Sequence, residues 1–296
     1  RGPHIVQELA QSLVQMGHDV PVITAFPTYH ITRSELDDKY KNNIFLTEKM
    51  DGVKVKRIKK PNFSTDIPVL RGLDHVSISL ITLMRGLLSE KHDVVYFYSP
   101  PLTIGITAYL LKKIKGTPFI MNIQDVFPQN AIDLGILSNK FLISIFKRME
   151  KFVYKNSNAL IVISDESKRY IKSNYENVTN IETIRNWVDT KTIYPMPKQN
   201  EFREKYNLEN KFVVSFAGTM GYSQDLDIIL ESARNLKQFE DVHYLLVGDG
   251  VKKSHAIKKK ERLDLNNVTF LPYQPKDLYP KLLAATDVSL VTLCKD

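Results

Sequence analysis

Apolar positions recur at helical spacing from Ile5 through Leu9 and Leu13 to Met16, stop at Gly17-His18, and give way to a short apolar run from Val20 to Thr24. The spacing predicts a helix followed by a strand. A polar, Lys-rich stretch up to Lys49 reads as an exposed loop or excursion before a strand over Val53 to Ile58, and the segment 61–70, with two prolines, reads as a linker loop. Helical spacing returns over 73–88, 102–115, 139–155 and 164–175, interleaved with apolar runs over 94–98, 119–123, 159–163 and 181–184. Such alternation predicts a parallel sheet with helices on both faces, because each parallel connection needs a crossover.

The pattern breaks at Tyr194-Pro-Met-Pro197 and then resumes, which sets a boundary between a domain at 1–195 and a second at 196–296. The fold class expected is α/β, with two Rossmann-like, doubly wound parallel-sheet domains. The chain opens at Arg1 almost directly into a helix and stops at Asp296 just after the strand-like Val288 to Leu293. A strand before residue 1 and further elements after residue 296 are therefore expected, with the second domain incomplete.

The second domain carries the most chemistry. Phe212-Val-Val-Ser-Phe-Ala-Gly218-Thr-Met-Gly221 reads as strand and glycine turn, an amphipathic run follows, and Tyr244-Leu-Leu-Val-Gly248-Asp249-Gly250 repeats the strand and turn. Glycines at the carboxyl ends of parallel strands expose backbone N–H groups beside a helix N-terminus, an arrangement suited to phosphate. Tight turns alone would also use these glycines. A nicotinamide site fits less well, since the pattern is GxxG, not GxGxxG, and Asp249 lies 28 residues beyond Gly221 where about 20 is usual. Asp225-Leu-Asp227 spells DxD, but Leu226, Ile229, Leu230 and Ala233 make it the start of a helix, so capping is expected there and not metal binding.

Composition adds constraints. The chain has 296 residues, 43% hydrophobic and 25% charged, which suits two soluble domains with their own cores. The excess of cations is concentrated in residues 1–195, with 26 Lys and Arg against 19 Asp and Glu, and favours an anionic partner. A single cysteine, Cys294, and no signal-like opening point to a cytoplasmic setting. The most apolar stretch, Val76 to Leu88, is broken by Arg85 and is too short to span a bilayer. His and Cys do not cluster at metal-ligand spacing. The helix at 139–155 sets Leu142, Ile145, Phe146, Met149, Phe152 and Val153 against Lys140, Lys147, Arg148, Lys151 and Lys155; it either covers the sheet or lies on an anionic membrane. No nucleic-acid motif accompanies the charge.

In the first domain Asp125 follows an apolar strand and precedes Phe127-Pro128, which places its carboxylate at a strand's carboxyl end, facing the interdomain cleft; loop capping is the alternative. Arg185-Asn186-Trp-Val-Asp189 sits similarly, as cleft residues or as a hinge turn stapled by the only tryptophan.

Ordered along the chain, these segments resemble glycosyltransferase family 4, nucleotide-sugar enzymes of the two-domain GT-B fold. Glu8-Leu-Ala-Gln-Ser-Leu with Gly17-His18-Asp-Val is similar to the family's opening, and Asn186-Trp-Val-Asp189 to its NxVD signature before the linker. Phe216-Ala-Gly218, Leu226-Asp227, Val247-Gly-Asp-Gly250, Val268 with Phe270-Leu-Pro-Tyr273, and Ala284-Ala-Thr-Asp287 follow in the family's order. Asn122-Ile-Gln-Asp125-Val-Phe-Pro128 with Leu134-Gly135 resembles the subgroup transferring N-acetylated 6-deoxy amino sugars such as fucosamine in bacterial surface-polysaccharide synthesis, for capsule or O-antigen.

The resemblance implies a retaining transfer, with no cofactor and no essential metal, from a UDP-sugar donor on the second domain to a lipid-linked or polysaccharide acceptor on the first. It implies donor contacts at Gly218, Thr219, Gly221, Gln224, Gly248, Asp249, Tyr273 and Gln274, cleft or hinge roles for Arg185, Asn186 and Asp189, and an acceptor- or donor-orienting role for Asp125. The enzyme would be cytoplasmic, with the basic first domain at the inner face of the membrane. Two positions depart from the family: Thr219 and Gln224 stand where basic residues grip the diphosphate in many members. The family's paired glutamates are expected past Leu293, so residues 1–296 alone are not expected to turn over, and measurable transfer by them would overturn that. A sugar-nucleotide epimerase of the same fold and a non-catalytic nucleotide-sugar binder remain open as alternatives.

Overall fold

The computed structural model describes residues 4–27, 37–61 and 68–294, and it divides after Trp187 into two units. The division falls ahead of the proline-rich segment at 194–197. Trp187 stays with the first unit through its indole N–H, which donates to Glu8 at 3.0 Å, while Asp189 already turns back on Lys191 and Thr192 within the second.

In the first unit α1 (His4–Gln15) leads to β1 (Val22–Ala25), and α2 (Asp38–Lys41) precedes β2 (Phe45–Met50) and β3 (Val53–Ile58). Strand β3 is central, parallel to β1 and antiparallel to β2. Strand β2 lies where a loop is expected from sequence. Only its alternate positions Leu46 and Glu48 are partly covered, so its apolar signal is thin. The turn into β3 is nevertheless visible as Asp51-Gly52, whose φ angles of 48° and 88° are those that an Asp-Gly hairpin turn demands.

Next come α3 (Pro68–Leu87), β4 (Val95–Ser99), α4 (Ile104–Lys115), β5 (Phe119–Ile123), α5 (Gln129–Asp133), α6 (Lys140–Asn156), β6 (Ala159–Val162), α7 (Asp165–Asn174) and β7 (Ile181–Thr183). Helix α3 begins inside the stretch read as a linker, with Pro68 in its first turn where no amide partner is needed; residues 62–67 of that stretch lie outside the described residues. Side chains write the helix ends: Asn139 accepts from the Phe141 and Leu142 amides to start α6, Ser164 accepts from Ser167 to start α7, and Gly116 ends α4 at φ 68°. Strands β4-β5-β6-β7 form a parallel sheet over a core that includes Phe119, Met121, Leu160, Val162, Val153 and Ile171.

The second unit runs α8 (Glu201–Lys205), β8 (Phe212–Thr219), α9 (Leu226–Asn235), β9 (Val242–Asp249), α10 (Lys253–Arg262), β10 (Val268–Leu271), α11 (Tyr279–Ala284) and β11 (Val288–Ser289). Its strands are all parallel in the order β10-β9-β8-β11. Successive β9 residues serve opposite faces: Tyr244 and Leu246 pack with Leu226, Ile229 and Ala256, whereas Leu245 and Val247 pack with Phe202, Leu208 and Leu282. The sheet is therefore doubly wound. Its strand order reverses at β8, which makes the carboxyl end of β8 the place where such sheets open a crevice. Strand β11 pairs for two residues only, short of the expected run to Leu293. After Leu290 donates to Ser215 the chain leaves the sheet and passes the glycine loop, where the Cys294 amide donates to Ser223 at 2.8 Å.

Candidate active site

Strands β8 and β9 end side by side, in the register Gly218 to Gly248 and Thr219 to Asp249. Their backbones nearly touch. A Cβ on Gly248, which has φ 147°, would lie 1.8 Å from the Gly218 carbonyl oxygen, and one on Gly250, with φ 150°, would lie 2.5 Å from the Met220 oxygen. Only glycine fits either position. The Met220 amide donates to Asp249 O at 2.8 Å and the Lys252 amide to Met220 O at 3.0 Å, which fuses both turns into one backbone unit above β8.

Side chains complete it. The Tyr273 hydroxyl lies 3.2 Å from that of Thr219 and 3.3 Å from Asp249 O, and Asp249 Oδ1 accepts from the Gly250 amide at 2.8 Å. Gln224 Oε1 accepts from the Gly221 amide at 3.0 Å, so the loop donor expected to face phosphate is held by a displaceable side chain. Gln274 donates to Pro272 O at 2.9 Å, one residue from Tyr273. Gly218, Thr219, Gly221, Gln224, Gly248, Asp249 and Tyr273 thus meet in one place.

Asp225 is a cap. Its carboxylate accepts from the Asp227 and Ile228 amides, both at 3.1 Å, while Asp227 pairs with Lys259 at 2.9 Å, which holds its pKa below the ordinary value. Removing the cap with Asp225→Ala is expected to cost about 1 kcal/mol, read as a lower urea midpoint with an unchanged slope.

Two cations were missed from sequence. Lys252 Nζ donates to Gln224 O at 2.8 Å and to Cys294 Sγ at 3.2 Å, and Lys253 Nζ donates to Gly248 O at 2.8 Å. They open α10, where the helix dipole disfavours positive charge and where no acidic residue stands. That local conflict was the readable signal. It resolves because both ammonium groups reach back onto carbonyls of the glycine turns.

In the first unit Asp125 lies just past β5. The residue is exposed, yet enough protein surrounds the carboxyl that burial raises its pKa. Burial also raises the Tyr98 phenol, with the Asp125 charge adding to it. Beside them runs a polar chain: Asn186 donates to Gln124 at 2.7 Å, Gln124 to Asn122 at 2.8 Å, and the buried Asn122 to the Tyr96 hydroxyl. Asn186 belongs to this chain. Arg185 instead points to Asp165 at 3.5 Å in an exposed pair of small energetic weight. Asp189 accepts from the Lys191 amide and the Thr192 hydroxyl, which lower its pKa, the hydroxyl foremost, and make it a turn former.

A family model described as Glycosyltransferase Family 4 matches residues 4–192, and one described as Glycosyl transferases group 1 matches residues 198–294. The chain is 28% identical over 211 residues to a protein described as probable glycosyltransferase WbjE of Pseudomonas aeruginosa, covering 69% of this chain and 52% of that one. It is 24% identical over 294 residues to one described as putative colanic acid biosynthesis glycosyl transferase WcaI of Escherichia coli, covering 96% of this chain and 71% of the relative. The chain thus spans about half the length of the first relative. Among solved structures, HepE of Anabaena in complex with UDP and glucose superposes with a TM-score of 0.64 at 15% identity, over 91% of this chain and 73% of HepE. That likeness establishes the GT-B type of fold.

Proposed function

The chain belongs to glycosyltransferase family 4, and from that membership we propose that it moves a sugar from a UDP-sugar donor to a lipid-linked or polysaccharide acceptor in bacterial cell-surface glycan synthesis. The observation that carries the reading is the fused glycine unit at the switch point of the second sheet, where Gly218 and Gly248 bring bare backbone together beside Lys252 and Lys253. An N-acetylated 6-deoxy amino sugar is the donor we favour, on the Asn122 to Gly135 resemblance alone; the names of WbjE and WcaI give glycosyl transfer without a donor sugar.

The transfer is retaining and needs no metal. The leaving diphosphate takes the acceptor proton on the same face, so the electrostatic task is to stabilise that diphosphate. Backbone amides of the loop supply donors once phosphate displaces Gln224 Oε1 from Gly221. Lys252 and Lys253 supply the charge that Thr219 and Gln224 do not. Lys252→Met is expected to weaken UDP binding about tenfold in calorimetry while leaving the unfolding midpoint nearly unchanged; an unaltered affinity would remove Lys252 from the site.

Asp125 orients an acceptor hydroxyl or the donor sugar. In a longer chain that carries the expected paired glutamates, Asp125→Asn is expected to lower the turnover rate about a hundredfold, and transfer at the wild-type rate would end that role. The same longer chain, given radiolabelled UDP-sugars and membrane lipid extract, tests sugar transfer itself. Label moving into lipid or glycan supports transfer. Isomerisation of the UDP-sugar without acceptor would replace it with an epimerase. On this reading the enzyme works in the cytoplasm, at the inner face of the membrane. Among the described residues no helix is long and apolar enough to cross a membrane.

A further inference from the structure

Helix α3 packs inward mostly through small and polar positions, with Leu83 as its apolar contact to the core. Ser79 donates to Thr103 at 2.8 Å, Thr107 of α4 donates to Ser79 O at 2.8 Å, and a Cβ on Gly86 would meet the Leu111 side chain at 2.9 Å. Ser79, Thr82 and Thr107 are buried. Its outward side is apolar, with Leu73, Val76, Leu80, Met84 and Leu87 spaced three and four apart, and Leu80 and Met84 56% and 54% exposed. A helix normally buries such a stripe.

The stripe does not stand alone. Beside α3, helix α4 exposes Ile106 and Ile114. Beyond it α6 approaches so closely that a Cβ on Gly105 would meet Val153 at 2.3 Å, and Phe152 sets its ring edge-on to Tyr109 at 4.7 Å. On that side of α6, Phe141 is 73% exposed, Ile145 is exposed, and Arg148 sits between Ile145 and Phe152. The cations framing this face are exposed: Lys113, whose ammonium lies 5.7 Å from the Tyr109 ring, with Lys140, Arg148, Lys151 and Lys155 on α6. Within α6 the only acid, Glu150, is buried and turned to Tyr175. Exposed apolar ridges framed by uncompensated cations match one chemistry, a bilayer surface carrying anionic headgroups. A second copy of the same face would set these cations against one another.

We propose that the outer face of α3, α4 and α6 docks on an anionic phospholipid bilayer, with Leu80, Met84, Phe141 and Ile114 entering the headgroup boundary and Arg148 and Lys151 meeting phosphate. The inference deepens the lipid-side reading above by naming its surface and its partner. The test is co-sedimentation of the protein with vesicles of phosphatidylglycerol and phosphatidylethanolamine, and separately with phosphatidylcholine vesicles. The protein is expected to pellet with the first and stay in solution with the second. Leu80→Glu with Met84→Glu, and independently Arg148→Glu with Lys151→Glu, should each reduce the affinity at least tenfold. Circular dichroism and UDP calorimetry serve as controls for folding, since all four residues are exposed. Wild-type protein left in the supernatant would overturn the docking surface. So would variants that pellet like wild type, or a wild-type dimer in sedimentation velocity that the Leu80 and Met84 variant dissolves. Pelleting without UDP binding keeps this surface and sinks the donor reading, so the two fail separately.

Discussion

Gly248→Ala is expected to unfold the second unit or destabilise it by roughly 3–5 kcal/mol. The added methyl would sit 1.8 Å from the Gly218 carbonyl oxygen, an atom of a central strand that cannot rotate away, and φ at 147° is a backbone region that L side chains rarely adopt. Relief would have to part β8 from β9, the innermost ladder of the sheet. Gly218→Ala provides the contrast. Its Cβ would find nothing nearer than Phe216 Cζ at 4.0 Å, so the fold should accept it. Urea unfolding of both variants checks the pair: a collapsed or shifted transition for Gly248→Ala, and a midpoint close to wild type for Gly218→Ala. Equal tolerance at both positions would mean that the strand ends do not meet as described. Under the proposed function, the space beside Gly218 is where the donor approaches the backbone.

The second large effect is expected at Arg203. Its side chain is fully buried, with Nε donating to Ala285 O at 2.9 Å, Nη1 to Leu208 O at 2.7 Å and to Lys211 O at 2.9 Å, and Nη2 to Asp287 Oδ2 at 2.7 Å. Asp287 also accepts from the Val213 amide at 2.9 Å and from Lys198. One guanidinium thus ties α8 to the end of α11 and the start of β11. Arg203→Met leaves three carbonyls and a largely covered carboxylate short of donors, at a cost of about 3–5 kcal/mol. Arg203→Lys should recover little, since a single ammonium cannot serve four acceptors in a planar fork.

The pH dependence follows from Asp287. Burial alone would raise its pKa, but Lys198, the Val213 amide and Arg203 outweigh burial and hold it below the ordinary 3.8. A carboxyl lowered in the folded state adds stability that is present above the unfolded pKa and lost as pH falls through the folded one. The gap between wild type and Arg203→Met should therefore be widest near neutral pH and narrow below about pH 4 as Asp287 protonates. Urea midpoints across that range measure it, and a gap independent of pH would detach Arg203 from Asp287.

The fold was legible where the chain speaks locally. Strand β5 falls on the apolar run 119–123, and Asn139 and Ser164 start their helices as capping residues do. Strand β2 escaped because an edge strand with little covered surface leaves only its Asp51-Gly52 turn as a signal. Helix α3 starts at Pro68, ahead of the expected 73, and its outward apolar stripe reads in sequence like a core-facing one, since periodicity reports that a face is apolar and not what lies against it. Of the site, the glycines were legible because close backbone approach demands them. Gln224 on Gly221, Lys252 on Gln224 and Arg203 on Asp287 were not, because each partner is chosen by the folded sheet, the last across 84 positions of sequence.

The proposed function puts a uridine diphosphate on the fused glycine unit of the second sheet. Calorimetric titration of the protein with UDP checks this. Saturable one-to-one binding that Gly218→Ala weakens without moving the unfolding midpoint is the predicted result. No heat with UDP, or saturable binding of NAD in its place, would contradict it.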